Sequence, residues 1–396
     1  MRIFALVLGP LLVVTACTGV RPLEPPPDGP HLMAEIPGFP GVRYWGDETP
    51  PGLEQSFDTL LDQFRTRVAR EGALPNGGRL DTLVLSGGGS DGPFGAGLLV
   101  GWTEKGDRPE FGIVTGISAG ALIAPFAFLG PDYDQALRDF TLENSTETLL
   151  ELTIASALLD GLGVFDTTPL RSRLSDLLTP EAVAAIGAEY DRGRRLWIGT
   201  TNLDAQRPVY WNITRIASIG GPDARDLIIK IMLASSAIPG AFPPQYFAVE
   251  IDGERYSEMH VDGGVTNQLF FYPETVDLRQ FESLDGQFQN FARRGTIYVI
   301  RNTKLEPDFS AIAPSILNIS ARSLSTMIKF GGRNDIQVLE QIAARDGFGV
   351  KVTSVPETFD MEENELFDPV YMQALFQVGY DLAAGEGTWR VEIPGG

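Results

Sequence analysis

The sequence predicts an α/β domain built on a largely parallel sheet, and three observations predict it. From Leu80 onward, short apolar β-prone runs alternate with segments of helical spacing, the arrangement that places crossover helices between parallel strands. Glycine-rich loops directly follow the first two of those runs. Hydrophobic residues make up 43% and charged residues 21% of the 396, a globular balance that excludes whole-chain disorder and a multispanning membrane protein.

The elements follow in chain order. Arg2 and the apolar run Ile3 to Val14 fit a signal peptide, since a bilayer span needs ~20 apolar residues. Val14-Thr15-Ala16-Cys17 resembles the bacterial lipobox, which makes residues 1–16 the leader and Cys17 the lipidated residue. An ordinary secretory signal with an incidental cysteine is the alternative. Thr18, where Asp would retain a lipoprotein in the inner membrane, favours the outer membrane of a bacterial envelope. Residues 17–52 are rich in Pro and Gly and read as an extended tether. Residues 53–79 hold a helix over Leu53 to Glu71 and a lead-in.

Residues 80–302 form the expected core domain. Its strands are Thr82 to Leu85, Ile113 to Thr115, Leu196 to Thr201, Val209 to Thr214 and Thr296 to Arg301. Phe247 to Ile251 and Tyr256 to Val261 flank Asp252-Gly253, a hairpin signal. Helical spacing fits Ala121 to Leu129, Asp134 to Thr141 and Asp226 to Ala237. Residues 303–396 read as a mainly helical extension packed on the same domain, with helices within Ser315 to Arg345 and over Val370 to Ala384.

Charge and rare residues narrow the chemistry. The net charge of −21 and the absence of a basic cluster exclude nucleic acid as a partner. One Cys permits neither an intrachain disulfide nor a cysteine-rich zinc site. The two His are His31, in the tether, and His260, so imidazole chemistry has little to draw on.

Two glycine-rich segments carry the chemistry. Ser86-Gly87-Gly88-Gly89-Ser90-Asp91-Gly92 follows the first strand, and such a run can converge its N–H groups on a phosphate or an oxyanion. A dinucleotide fingerprint fits poorly, because Glu110 precedes a strand rather than ending one. Gly116-Ile117-Ser118-Ala119-Gly120 fits G-x-S-x-G between a strand and a helix, the context of a nucleophile elbow. The alternatives are a structural turn for the first and a serine helix cap for the second. A serine nucleophile needs a base, and the candidates are His260 and Asp262, the latter in Asp262-Gly263-Gly264 at a strand end. A desolvated carboxylate has the proton affinity to serve.

With Gly87-Gly88-Gly89-x-x-Gly92, Gly116-x-Ser118-x-Gly120, the block Ala234-Ser235-Ser236-Ala237-Ile238-Pro239-Gly240-Ala241-Phe242-Pro243-Pro244 and Asp262-Gly263-Gly264, the chain resembles the patatin-like phospholipases in motif order and spacing. The resemblance implies a three-layer αβα sandwich around a central, mostly parallel sheet. It implies a Ser–Asp dyad in which Ser118 is the nucleophile and Asp262 the general base. The glycine-loop N–H groups (Gly87, Gly88, Gly89 and Ser90) would form the oxyanion hole. It implies hydrolysis of lipid esters through an acyl-enzyme, with no metal or organic cofactor. Transfer of the acyl group to another acceptor, or a catalytically silent lipid-binding lipoprotein, are the alternatives. One departure stands out. Asp91 occupies the place where the family usually carries Arg or Lys, and it would repel a phosphate-bearing substrate. Arg79 and Lys105 flank the loop in sequence.

Overall fold

A computed structural model describes residues 21–72, 75–142, 151–152, 165–281, 295–364, 366–385 and 388–389. The signal-peptide and Cys17 expectations lie outside these residues.

The first predicted run becomes strand β2 (Thr82–Leu85), and its side chains alternate between two cores. Leu83 and Leu85 join one apolar cluster, and Val84 joins the other. Strand β10 (Thr296–Arg301) repeats this, with Tyr298 and Ile300 on one side and Ile297 and Val299 on the other. A strand buried on both faces needs helices on both, which gives the layered architecture. On one face lie α2 (Pro93–Lys105), α3 (Ala119–Leu129), α4 (Asp134–Leu142) and α10 (Pro369–Ala384). On the other, α1 (Leu53–Glu71) contributes Leu61 and Phe64, and α9 (Ile316–Asp346) contributes Ile336, Leu339 and Ala343.

Among the described residues the main sheet has nine strands. Its parallel centre runs β11 (Gly349–Ser354), β10, β2, β3 (Ile113–Gly116) and β6 (Arg195–Asn202). Antiparallel β7 (Arg207–Asn212) and β1 (Arg43–Trp45) extend it beyond β6. The hairpin of β8 (Gln245–Ile251) and β9 (Glu254–Asp262) joins through β9, antiparallel to β6. β3 pairs with the first half of β6 and β9 with the second half, on the edge opposite β7. A small separate sheet pairs β4 (Glu151–Leu152) with β5 (Phe165–Asp166).

Four departures from the sequence reading have physical causes. The segment expected as a tether packs on the domain from residue 21. Arg21 pairs with Asp204, Glu35 bridges to Glu250, and Ile36, Phe39 and Val42 are buried. Its Pro and Gly content does keep it extended, but apolar residues among the prolines supply an anchor. Helix α2 goes unpredicted because Gly95, Gly97 and Gly101 weaken its propensity and it is buried nearly all round, so it has no amphipathic stripe. Those glycines let helices touch: a Cβ at Gly97 would strike the Phe376 carbonyl, and one at Gly379 would strike that of Phe94. The short-spaced helices α5 (Thr168–Leu177), α6 (Pro180–Asp191) and α7 (Ile213–Ile219) also go unpredicted, and α7 takes over the end of the strand expected to reach Thr214. Strand β11 adds to the sheet from within the extension expected to be mainly helical. The Asp226 to Ala237 segment belongs to α8 (Gly221–Ser235).

Candidate active site

β3 ends at Gly116, and the chain reverses sharply into α3. Ser118 sits at that reversal with φ 54° and ψ −125°, left-handed backbone that a side-chain-bearing residue rarely adopts. Gly116 and Gly120 make the turn possible. A Cβ at Gly116 would lie 2.5 Å from the Gly120 carbonyl, and one at Gly120 would strike the Leu85 carbonyl. Ser118 is thereby held at the N-terminal, positive end of α3.

Asp262 ends β9. Its Oδ2 accepts the Ser118 Oγ–H bond at 2.6 Å, and its Oδ1 accepts the Gly264 N–H at 2.7 Å. The side chain is almost wholly buried. Burial pushes its pKa up to about 7, against the smaller opposing effect of the bonds from Ser118 and Gly264. Gly263 is required because a Cβ there would meet the Gly199 carbonyl at 2.6 Å.

The proline-block serines, which carry no role in the sequence reading, tie these two residues together. Ser235 Oγ donates to the Gly199 carbonyl at 2.6 Å and accepts the Ser118 N–H at 3.0 Å. Ser236 Oγ donates to the Ser118 carbonyl at 3.3 Å. The Asp262 N–H donates to the Ala237 carbonyl at 3.0 Å. Two adjacent serines at a helix end were the available signal.

The glycine loop arches beside Ser118. A Cβ at Gly87 would come 3.1 Å from that of Ser118. Gly87 does not fit the oxyanion role assigned to it, because its N–H already donates to the Gln268 carbonyl at 3.2 Å. Among the described residues nothing accepts from the N–H groups of Gly88, Gly89 and Ser90. Gly89 is left-handed, with φ 57°. Asn302, fully buried, clamps the loop. Its N–H donates to Ser86 Oγ at 2.9 Å, its Nδ2 donates to the Ser86 carbonyl at 2.8 Å, and its Oδ1 accepts the Gly95 N–H at 3.0 Å. Gly88 has no room for a Cβ beside the Asn302 carbonyl. A Cβ at Gly92 would come 3.0 Å from that of Ala119.

Asp91 accepts a 2.6 Å bond from the Tyr371 hydroxyl, and burial raises its pKa to about 7. Glu363 raises it further, while Tyr371, Lys329 and Lys304 oppose the rise. Neither flanking cation reaches the loop, since Arg79 pairs with Asp81 at the far end of β2 and Lys105 with Asp107. Next to Asp91, Ser90 Oγ accepts the Phe367 N–H at 3.0 Å. Phe367 is itself left-handed, with φ 61°. It lines an apolar cavity with Gly89, Ala119, Leu122, Phe242 and Met372, and nothing in the sequence marked it.

His260 is excluded as the base by its partners. Trp211 Nε1 donates to Thr200 Oγ1 at 2.8 Å, leaving that hydroxyl to meet His260 Nδ1 at 2.9 Å. His260 Nε2 faces Glu258 at 3.1 Å. Burial lowers the His260 pKa. Burial would raise that of Glu258, but Arg43 and His260 outweigh it and bring it to about 2. His31 lies far along the chain and stacks edge-on against Trp45. Glu110 pairs with Arg67 at 2.7 Å, a structural ion pair. Among the described residues no group of three or more His, Cys, Asp or Glu is placed to hold a metal, and no helix is long and apolar enough to cross a membrane.

Residues 83–273 match the family model described as patatin-like phospholipase. Among solved structures, the chain is similar to the crystal structure of VipD from Legionella pneumophila, at 14% identity and a TM-score of 0.36. That similarity covers 77% of this chain and 66% of VipD, just under two thirds of its length. No curated protein matches the chain.

Proposed function

We propose that this chain, whose residues 83–273 match the patatin-like phospholipase model, is a serine hydrolase of lipid esters using a Ser118–Asp262 dyad. The observation that carries this reading is the 2.6 Å bond from Ser118 Oγ to a buried Asp262 whose proton affinity lies near neutrality. A carboxylate at the usual acidic pKa would be a poor acceptor for a hydroxyl proton, and burial removes that handicap.

In this mechanism Ser118 Oγ attacks the ester carbonyl carbon while Asp262 takes its proton. The carbonyl oxygen becomes an oxyanion beside Gly88, Gly89 and Ser90, whose N–H groups are unengaged. Asp262 then returns the proton to the departing alcohol, leaving the acyl group on Ser118. Water enters and its oxygen attacks the acyl carbon while Asp262 takes a proton from it; the bond to Ser118 Oγ then breaks, Asp262 returns the proton to Oγ, and the fatty acid leaves. The apolar cavity bordered by Gly89 and Ala119 accommodates the acyl chain.

Cys17 serves as a lipid anchor in the bacterial envelope, and the outer membrane suits Thr18. The anchor is tested by palmitate labelling, which Cys17→Ser should abolish. The activity is tested by a lipid-class panel with Ser118→Ala as the control. Ester cleavage that survives Ser118→Ala would overturn the dyad.

A further inference from the structure

α9 is longer than the crossover it makes. It connects β10 to its parallel neighbour β11, a step that returns the chain along strands of six residues, ~20 Å. Yet α9 has 31 residues, about 46 Å of helix. The surplus can be located. Arg301, the last residue of β10, donates to the Lys329 carbonyl at 3.1 Å, and its guanidinium occupies the place a Cβ of Gly332 would take. Gly332 therefore marks the level of the C-terminal edge of the sheet. From there to Asp346 the helix packs, burying Ile336, Leu339, Ile342 and Ala343. Residues 316–331 rise roughly 24 Å above the edge. This is the edge from which the glycine loop and the Ser118 turn emerge.

The raised half is apolar where a soluble helix would be polar. Phe309, in the loop before it, is 99% exposed, Met327 is 70%, Ile319 is 54% and Phe330 is 49%. At 100° per residue Ile319, Leu324, Met327 and Phe330 fall within an arc of about 140° that also holds Ser320 and Ser323 but no charge, and Arg322, Lys329 and Arg333 lie along one border of it. From Phe309 to Asn334 the chain carries these three cations and no acid, within a protein of net charge −21. The flanking acids are Asp335, which accepts the backbone N–H groups of Gln268 and Leu269, Asp308, paired with Lys329 and Lys304, and Glu306, paired with Arg333. An apolar arc bordered by cations is the composition of a helix that lies at a lipid–water interface.

The geometry points to the first half of α9, with the loop carrying Phe309, as a prong that docks on a phospholipid bilayer. Its apolar side chains enter the acyl boundary and its cations meet lipid phosphates. A second feature gives the same orientation. Arg21 is bound to Asp204, in the turn after β6 at this same edge. Cys17 lies four residues earlier, within roughly 14 Å of extended chain. An anchor there would hold the active-site edge toward the bilayer. The prong explains how substrate reaches the site and to that extent rests on the hydrolase reading, but membrane contact can be measured without activity.

The test places a reporter in the prong. Phe330→Trp is made in the full-length Ser118→Ala protein and mixed with vesicles of phosphatidylethanolamine and phosphatidylglycerol, three to one, bearing brominated acyl chains. Relative to the parent, the introduced tryptophan should shift to the blue and be quenched, and Ile319→Glu with Met327→Glu should reduce the quenching at least tenfold. In the active protein the same double substitution should slow hydrolysis of vesicle phospholipid at least tenfold and leave a water-soluble ester unaffected. A vesicle-bound protein whose introduced tryptophan is not quenched overturns the prong. So does a dimer that Met327→Glu dissociates, because the face then belongs to a second copy. Quenching in a protein whose active form cleaves no ester sinks the hydrolase reading and leaves the prong standing.

Discussion

Ser118 and Asp262 stand at the C-terminal ends of two strands that run toward each other along one edge of β6. β3 occupies that edge as far as Ile198, and β9 occupies it from Asn202 back to Thr200. Gly199 is the gap between them, and its carbonyl accepts the Ser235 hydroxyl that also holds the Ser118 N–H. The dyad is thus set by sheet register, across 144 residues of chain, rather than by a mobile loop.

Removing either partner should therefore stop catalysis without unfolding the protein. Ser118→Ala is expected to lower turnover by ~10⁴-fold or more, and Asp262→Asn by ~10³–10⁴-fold. A fluorophosphonate should label the parent and fail on Ser118→Ala. Unchanged circular dichroism in both variants checks the fold.

The pH profile follows from the buried base. Asp262 must be ionised to take the Ser118 proton, and its pKa is about 7. Turnover should rise with pH and reach half its plateau near pH 7. Asp91 titrates in the same range. Asp91→Asn should keep the rising limb, and a limb that vanished with it would assign the titration to the wrong carboxylate.

Much of this site is legible in the sequence. The glycine loop, the elbow and the final aspartate each satisfy a steric or chemical demand that only those residue types meet. Their convergence could not be read from periodicity, because pairing along β6 is a long-range contact; the family resemblance supplied it. Ser235, Asn302 and Phe367 stayed hidden for different reasons. Ser235 and Asn302 use their side chains to hold backbone groups of segments distant in sequence, contacts that no local pattern announces, and Phe367 comes from the distant C-terminal region. Sequence does not reveal which N–H of a glycine run is already bonded, and that of Gly87 is. The packing of the N-terminal segment is not legible because Pro-rich composition reports extension and not contact.

Stability should depend on pH in the opposite sense to activity. The folded pKa of Asp262 is raised above the ordinary 3.8, so the native state holds the proton more tightly than the unfolded chain. The favourable contribution is complete below pH ~4 and is lost as pH rises through about 7. Asp262→Asn keeps an acceptor for the Gly264 N–H and cannot ionise. Its midpoint of thermal unfolding should exceed that of the parent at pH 8, and the difference should shrink at pH 5. Equal differences at both pH values would contradict a raised pKa.

Asn302 predicts a loss of turnover at a residue remote from the nucleophile in sequence. Asn302→Ala leaves the Ser86 carbonyl buried without its side-chain partner, at about 1–3 kcal/mol, and leaves the Gly95 N–H only the Gly92 carbonyl as acceptor. The loop that presents Gly88 and Gly89 should lose its position, with kcat falling by ~10²-fold and KM changing less. Asn302→Asp keeps an acceptor for Gly95 but sets an oxygen against the Ser86 carbonyl, so it should fare no better. Wild-type kcat in a folded Asn302→Ala protein would remove the clamp from the mechanism.

Phe367 lines the apolar cavity proposed for the acyl chain. It borders that cavity with Gly89 and Ala119, and its left-handed backbone is held by bonds from its N–H to Ser90 Oγ and Glu363 Oε1. Tyr371, bonded to Asp91, fixes the start of α10 just beyond. Phe367→Ala should open the cavity while keeping both N–H bonds, so kcat/KM should shift toward long acyl chains across a series of esters from butyryl to palmitoyl. Tyr371→Phe removes one bond, worth about 1 kcal/mol, and should loosen the same wall without enlarging it. Activity should then fall evenly across the series. A chain-length preference unmoved by Phe367→Ala would place the acyl group elsewhere.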